Sequence, residues 1–309
     1  MRVSVAIPLF NEEAVLPELL RRVMAVLDAI PGGPHELVAV DDGSTDGTPS
    51  LLAAAVGGDP RIRVVRLSRN FGHQAAITAA LDRARGDVVV VMDGDLQDQP
   101  EEIPRFLDAH AAGYDVVYAE RSTRPEPWLL RAAYHLFYRT FAHLSRVPVP
   151  LDAGDFALLS RRVVAAMQSA PERNRYLRGL RAWVGFRQLG IPVDRAPRQA
   201  GTSKYSVLAL CRLALDGLFS FSIIPIRAAM VIGCLAIFMA GLVAAHAVYG
   251  KVILGRSPAG FTSIILIVTF LSGVNLFFLG VVGEYVGRVY EETKQRPLYL
   301  IDCVIEREP

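Results

Sequence analysis

Residues 88–99 read Val88-Val89-Val90-Val91-Met92-Asp93-Gly94-Asp95-Leu96-Gln97-Asp98-Gln99. Four valines and a methionine predict a buried strand. The run breaks into two aspartates spaced one apart, Asp93 and Asp95. A parallel strand that ends this way delivers its carboxylates to the carboxyl edge of a sheet, where open α/β sheets bind their ligands. A hard divalent cation carrying a diphosphate takes carboxylate oxygens of this kind.

Outward from this strand, apolar runs and helical spacing alternate. Strands are expected at Val3–Pro8, Glu36–Val40, Ile62–Leu67, Asp87–Met92 and Asp115–Ala119, and near Phe156–Ser160. Helices are expected over Asn11–Ile30, from Asp46 to Ala55, over Gly72–Arg85 and Pro127–Leu144, and from Arg161. Repeated strand-helix-strand units imply an α/β fold with a mostly parallel sheet and helices on both faces.

Of the 309 residues, 52% are hydrophobic, and the mean hydropathy of +0.31 is high for an ordinary soluble enzyme. The excess lies after residue 205. Ala228–Tyr249 and Phe261–Gly283 are apolar runs of 22 and 23 residues, and the second carries no charge. Each reaches the roughly 20 residues needed to cross a bilayer. The short connection Gly250–Gly260 makes them a transmembrane hairpin. Lys and Arg flank its outer ends (Arg212, Arg227, Arg288, Lys294, Arg296) against Lys251 and Arg256 in the connection. This bias places both termini in the cytoplasm, in an integral, multi-pass protein of the inner (plasma) membrane. Tyr205–Ile226 is too interrupted by Arg212 and Asp216 to span, and fits a helical segment lying in the interface. The expected organisation is a catalytic domain over 1–204, interfacial helices over 205–226, two spans within 227–288 (228–249 and 261–283) and a cytoplasmic tail over 289–309. The tail is expected to add a strand or to bind a neighbouring subunit.

Net charge is only +2, so the total says little about partners, and no nucleic-acid partner is expected. Ten basic residues gather just before the apolar part: Arg161, Arg162, Arg173, Arg175, Arg178, Arg181, Arg187, Arg195, Arg198 and Lys204. They are expected to form a surface beside anionic headgroups and phosphates. The three cysteines have no CxxC spacing, which excludes a zinc site and a disulfide framework. Met1 leads straight into a strand, so no signal peptide is expected. Gly273, Gly280, Gly283 and Gly287 suit close helix packing, including packing in a homo-oligomer.

Four groups in all fall at strand ends or at the membrane border: Pro8-Leu9-Phe10-Asn11-Glu12, Asp41-Asp42-Gly43-Ser44-Thr45-Asp46-Gly47-Thr48, Asp93-Gly94-Asp95-Leu96-Gln97 and Arg198-Gln199-Ala200-Gly201-Thr202-Ser203-Lys204-Tyr205. With Arg69-Asn70-Phe71-Gly72, Gly154-Asp155-Phe156, Pro171-Glu172-Arg173-Asn174 and Gly283-Glu284-Tyr285-Val286-Gly287-Arg288, the chain resembles family 2 glycosyltransferases of the GT-A fold. Within that family it is similar to the polyprenyl-phosphate sugar synthases, of the dolichol-phosphate mannose synthase and bacterial undecaprenyl-phosphate glucosyltransferase type. The resemblance covers nearly the whole chain.

The resemblance implies that Pro8, Phe10, Glu12 and Asp41 line a nucleotide pocket, with phenylalanine at position 10 where the family usually has tyrosine. It implies that Asp93, Asp95 and Gln97 hold Mg²⁺ or Mn²⁺ and, through it, the diphosphate. Arg198 and Lys204 would complete the diphosphate site, and Arg121 and Arg131 would clamp the acceptor phosphate. Asp155 falls at the family's position for a catalytic base, with a mainly orienting role expected because a phosphate acceptor needs little deprotonation. His73 is expected to cap a helix, with a place near the sugar as the alternative. The implied partners are a nucleotide-sugar donor, a polyprenyl-phosphate acceptor and the bilayer. The implied reaction is inverting transfer of a hexose from UDP-glucose to polyprenyl phosphate, with GDP-mannose as the alternative donor. A processive polysaccharide synthase is a further alternative, but there is no Gln-x-x-Arg-Trp motif. A nucleotide-sugar-binding scaffold without catalysis would not need Asp93, Asp95 and Asp155 together.

Overall fold

The computed structural model describes residues 1–121, 153–170, 172, 175–194 and 260–307, with scattered positions between 231 and 253. The chain divides into two units: the sheet together with the tail from Arg296, and the apolar region up to Gln295.

The first unit opens with strand β1 (Val3–Leu9), helix α1 (Leu16–Ala29), β2 (Glu36–Asp41), α2 (Thr48–Gly58), β3 (Ile62–Leu67), α3 (His73–Arg83) and β4 (Val88–Val91). After a short 3₁₀ turn come α4 (Ile103–Ala111), β5 (Val116–Arg121), β6 (Ala153–Ser160), α5 (Arg161–Ser169), α6 (Leu177–Trp183) and β7 (Gln188–Val193). One eight-stranded sheet results, in the order β7-β5-β6-β4-β1-β2-β3-β8, where β8 is Ile301–Ile305. β4, β1, β2 and β3 run parallel, while β6 lies antiparallel to both β4 and β5 and β8 lies antiparallel to β3.

The all-valine run of β4 follows from its place at the centre. Val88 and Val90 face a core completed by Leu16, Leu19 and Val23 of α1 and by Phe106 of α4. Val89 and Val91 face a second core with Ile77 of α3, Val163 and Met167 of α5 and Leu180 of α6. Both faces are dry, so period-two alternation disappears. Each buried valine contributes about 1.5–3 kcal/mol.

One boundary differs from the sequence expectation for a tertiary reason. α1 starts at Leu16, not Asn11, because Asn11 adopts φ 55° and the chain turns before the helix begins. The Val15 and Leu16 N–H groups donate to the Glu12 carbonyl at 3.1 and 3.0 Å. The tail adds its strand to this chain's own sheet. There the Tyr299 hydroxyl donates to Asp82 at 2.7 Å, and Arg63 donates to Glu306 at 2.6 Å.

In the second unit, described positions from Val231 to Val252 are helical. Helix α7 (Phe261–Thr293) has 33 residues, about 50 Å at 1.5 Å per residue. Its stretch Phe270–Thr293 is long and apolar enough to cross a membrane, with none of it buried. Phe270, Leu276, Phe277 and Leu279 are all exposed. Uncovered apolar surface of this extent suits lipid surroundings. α7 begins where the second span was expected and continues past Gly283, with Arg288 donating to Glu284 at 3.0 Å.

Candidate active site

Because β4, β1 and β2 are parallel neighbours, their carboxyl ends bring three loops to one edge of the sheet. The loops after β1 and β2 are laced together. The Asn11 N–H donates to Ser44 Oγ at 3.0 Å, the Glu12 N–H to Thr48 Oγ1 at 3.0 Å, the Thr45 N–H to Asn11 Oδ1 at 2.8 Å and the Gly47 N–H to the Glu13 carboxylate at 2.8 Å. Four of the expected residues lie on these two strand ends. Pro8 and Asp41 are buried, Glu12 is half-buried and the Phe10 ring is exposed. Asp41 accepts the Ser44 N–H at 2.9 Å and stands 3.5 Å from Arg66 Nε.

Asp42, the next residue, fixes a neighbouring loop. Its two oxygens accept the N–H groups of Phe71 and Gly72 at 2.7 and 2.9 Å. Burial raises its pKa above the ordinary value, against the pull of those two bonds. Gly43 makes the close approach, since at φ +69° an added Cβ would stand 2.6 Å from the Arg69 carbonyl carbon. The pinned loop leads directly into α3, whose first residue is His73.

The turn after β4 is tightly built. The Gln97 N–H donates to Asp95 Oδ1 at 3.1 Å, and the Asp93 N–H to Asp98 Oδ2 at 3.3 Å. Gly94 packs under Leu9, whose Cδ2 would stand 2.5 Å from an added Cβ. Leu96 is held at φ 60°, a conformation that costs a leucine about 1–2 kcal/mol. Its side chain is 1% exposed, so burial in the core offsets that strain.

β6 brings the last carboxylate. It pairs antiparallel to β4 with Val91 opposite Ala157, and the same register carried two residues further sets Asp93 opposite Asp155. His73 Nε2 stands between them, 3.4 Å from Asp93 Oδ1 and 3.6 Å from Asp155 Oδ2. Arg178 of α6 donates to both oxygens of Asp155, at 2.7 and 2.6 Å. Arg181, one turn on, is buried. It donates to the Gly154 carbonyl at 3.2 Å and lies over the Tyr118 ring, and its Nη2 has no hydrogen-bond partner among the described residues.

The protonation states follow from these contacts. Burial alone would raise the Asp155 pKa, but the hydrogen bonds from Arg178 and His73 outweigh it and hold the carboxyl well below the usual range. Burial would lower the His73 pKa, and the Asp155 bond with the Asp93 and Asp155 charges reverses that into a rise. Arg181, desolvated more than it is compensated, falls to about 10.

His73, Asp93 and Asp155 place ligand atoms within 4.8 Å of one another, a group that could hold a metal ion. One imidazole nitrogen with carboxylate oxygens is a donor set suited to divalent cations. Of the expected ligands, Asp93 belongs to this group, while Asp95 and Gln97 are half-buried on the same turn. Arg121 closes β5 with its backbone opposite Val193. Arg131, Arg198 and Lys204 lie outside the described residues, as does the expected helix 127–144.

Residues 4–167 match the sequence profile of Glycosyl transferase family 2. The chain belongs to that family. It is 40% identical over 302 residues to an uncharacterized glycosyltransferase of Synechocystis sp., covering 97% of this chain and 95% of the relative. It is 38% identical to the bactoprenol glucosyl transferase of Shigella phage SfX, over 97% of this chain and 99% of the relative. It is 36% identical to the prophage bactoprenol glucosyl transferase homolog of Escherichia coli strain K12, over 98% and 99%. The αβα layers with a carboxylate-bearing central edge are the GT-A arrangement of this family 2 glycosyltransferase.

Two residues of the candidate site were not given these places in the sequence reading. His73 was expected as a cap, but Gly72 is the N-cap and no side chain caps the helix there; the ring points to Asp93 and Asp155 instead. Arg178 was counted in a basic outer surface. Five of its ten basic residues are held by other groups of the fold. Arg161 binds the Gly86 carbonyl, Arg162 pairs with Asp115, Arg175 donates to the Ala170 carbonyl at 2.8 Å, and Arg178 and Arg181 turn toward Asp155 and Gly154. The spacing of positions 178 and 181, three apart on one helical face, was the available signal.

Proposed function

We propose that this enzyme transfers glucose from UDP-glucose to undecaprenyl or another polyprenyl phosphate, with inversion at the anomeric carbon, giving a lipid monophosphate sugar for glycosylation of the cell envelope. One observation carries the reading. A family 2 transferase domain and an uncovered apolar helix occur in one chain, over nearly the full length of relatives named bactoprenol glucosyl transferase.

In this reading Pro8, Phe10, Glu12 and Asp41 receive the nucleotide. Asp93, Asp95 and Gln97 hold Mg²⁺ or Mn²⁺, which when bound neutralises charge on the diphosphate leaving group. Arg198 and Lys204 would complete the diphosphate site. Arg121 and Arg131 bring in the acceptor phosphate, which would otherwise be repelled by the donor. A phosphate monoester has its second pKa near about 6, so at neutral pH the acceptor is already a dianion able to attack. A general base works best with a pKa near the operating pH. Asp155, held far below that by Arg178 and His73, is a poor base and a good fixed anion. Its role here is to orient the groups around the reacting centre.

The domain over 1–204, the interfacial helices over 205–226 and the spans at 228–249 and 261–283 would keep the polyprenyl tail in the bilayer. Its phosphate would then reach a cytoplasmic site, with both termini on that side. A homo-oligomer built on the glycines of the second span is part of the same proposal. The test is to incubate membranes containing the protein with a panel of labelled nucleotide-sugars, undecaprenyl phosphate and either metal. Label entering lipid from UDP-glucose supports the assignment. Label entering only from GDP-mannose replaces it with a mannose synthase, and growth of a polymer replaces it with a polysaccharide synthase.

A further inference from the structure

We propose that His73 supplies a nitrogen ligand, beside Asp93, to the divalent cation of this site, and thereby favours Mn²⁺ over Mg²⁺. The assignment rests on the reading above that the edge of β4 holds a cation. Two ligand atoms at right angles on a cation, each about 2.1–2.2 Å away, stand about 3 Å apart. His73 Nε2 and Asp93 Oδ1 are 3.4 Å apart, within a few tenths of an ångström of that edge. The third atom, Asp155 Oδ2, is 3.6 Å from the same nitrogen, but its charge is already balanced by the two-pronged bond from Arg178. That leaves it the weaker donor of the three; a cation on His73 Nε2 takes the place of the proton that this nitrogen otherwise shares with Asp155.

The ring is delivered, not adventitious. Asp42 holds the N–H groups of Phe71 and Gly72, which pins the loop into α3, and His73, the first residue of α3, faces Asp93 and Asp155. The side chain is 45% exposed and the site is open to ions from solvent. Mg²⁺ prefers oxygen ligands and retained waters, whereas an imidazole raises affinity for transition metals. A site of oxygen donors alone would lack this bias.

The experiment uses the full chain in detergent with Mn²⁺ alone and no nucleotide. Pulsed electron paramagnetic resonance reads ¹⁴N modulation on the bound ion, and a titration of free Mn²⁺ gives its affinity for wild type and His73→Gln. The expected result is imidazole ¹⁴N modulation in wild type. His73→Gln should lose it, with Mn²⁺ affinity weakened about tenfold or more, the range seen when groups around a metal are removed. Mg²⁺ affinity, read by competition, should change much less. Bound Mn²⁺ without ¹⁴N modulation in wild type overturns the proposal, as does no bound Mn²⁺ at all, and neither result depends on how the variant folds. His73→Gln with wild-type Mn²⁺ affinity overturns it too. Modulation present without sugar transfer would sink the glucosyltransferase reading and keep the ligand. Transfer without modulation would do the reverse.

Discussion

Arg178 donates to both carboxylate oxygens of Asp155, at 2.7 and 2.6 Å. The pair joins α6 to β6 directly opposite the turn that carries Asp93 and Asp95. A carboxylate gripped in this way is an anchor more than a proton acceptor. Asp155→Asn is therefore predicted to lose less turnover than Asp95→Asn, and to leave the shape of the kcat/KM profile between pH 6 and 9 unchanged. An Asp155→Asn enzyme whose activity returns only as pH rises would restore a base role.

The same pair sets a dependence of stability on pH. The Asp155 pKa in the fold lies below its unfolded value, because the Arg178 and His73 bonds outweigh desolvation. Its contribution is then present above the unfolded carboxylate value of about 3.9 and is lost as pH falls below it. Removing one partner of a buried pair costs about 3–5 kcal/mol, and the partly exposed Arg178 sets the expectation for Asp155→Asn nearer about 2–3 kcal/mol. Denaturant unfolding should show that gap at pH 7 and a narrower one near pH 3.

Asp42 is predicted to matter without touching substrate. Asp42→Ala removes the acceptor of two backbone N–H groups, each bond to a charged group contributing about 1.5–3 kcal/mol. A loss of about 2–4 kcal/mol and a weaker Mn²⁺ site, through a misplaced His73, are expected. Calorimetry and the metal titration check them separately.

Gly43→Ala should be among the most damaging single substitutions. A left-handed alanine costs about 1 kcal/mol, and its Cβ would meet the Arg69 backbone at 2.6 Å. A stability loss of about 3 kcal/mol or more is expected in chemical denaturation, with the donor site disordered in proportion.

Deleting residues 297–309 takes β8 off the edge of β3 and removes the Tyr299–Asp82 and Arg63–Glu306 bonds. The bare edge of β3 then becomes a template for pairing with other chains. A lower Tm and concentration-dependent aggregation should follow, measured by light scattering on the detergent-solubilised protein.

The central strands were legible because burial on both faces leaves a plain signature, as in Val88–Val91, and because Ile62–Leu67 stands between clear turn residues. Helix α1 was placed too early because Asn11, Glu12 and Glu13 are fastened by Ser44, Thr48 and Asp46, more than thirty residues away. The strand-end carboxylates announced themselves by position alone. The opposition of Asp93 and Asp155 did not, since antiparallel register between β4 and β6 is set by packing across a long intervening segment. Arg178 and Arg181 sit among other arginines, and only the tertiary fold turns these two inward. His73 follows a helix-start signal, which hides a side chain aimed at two carboxylates.

The most direct measurement is label transfer by the purified chain from UDP-[¹⁴C]glucose into undecaprenyl phosphate, followed by phase partition and analysis of the anomeric linkage. The account predicts label in the organic phase as a β-linked monophosphate sugar, abolished by chelator and by Asp95→Asn. Absence of lipid label with UDP-glucose, or an α-linked product, would contradict it.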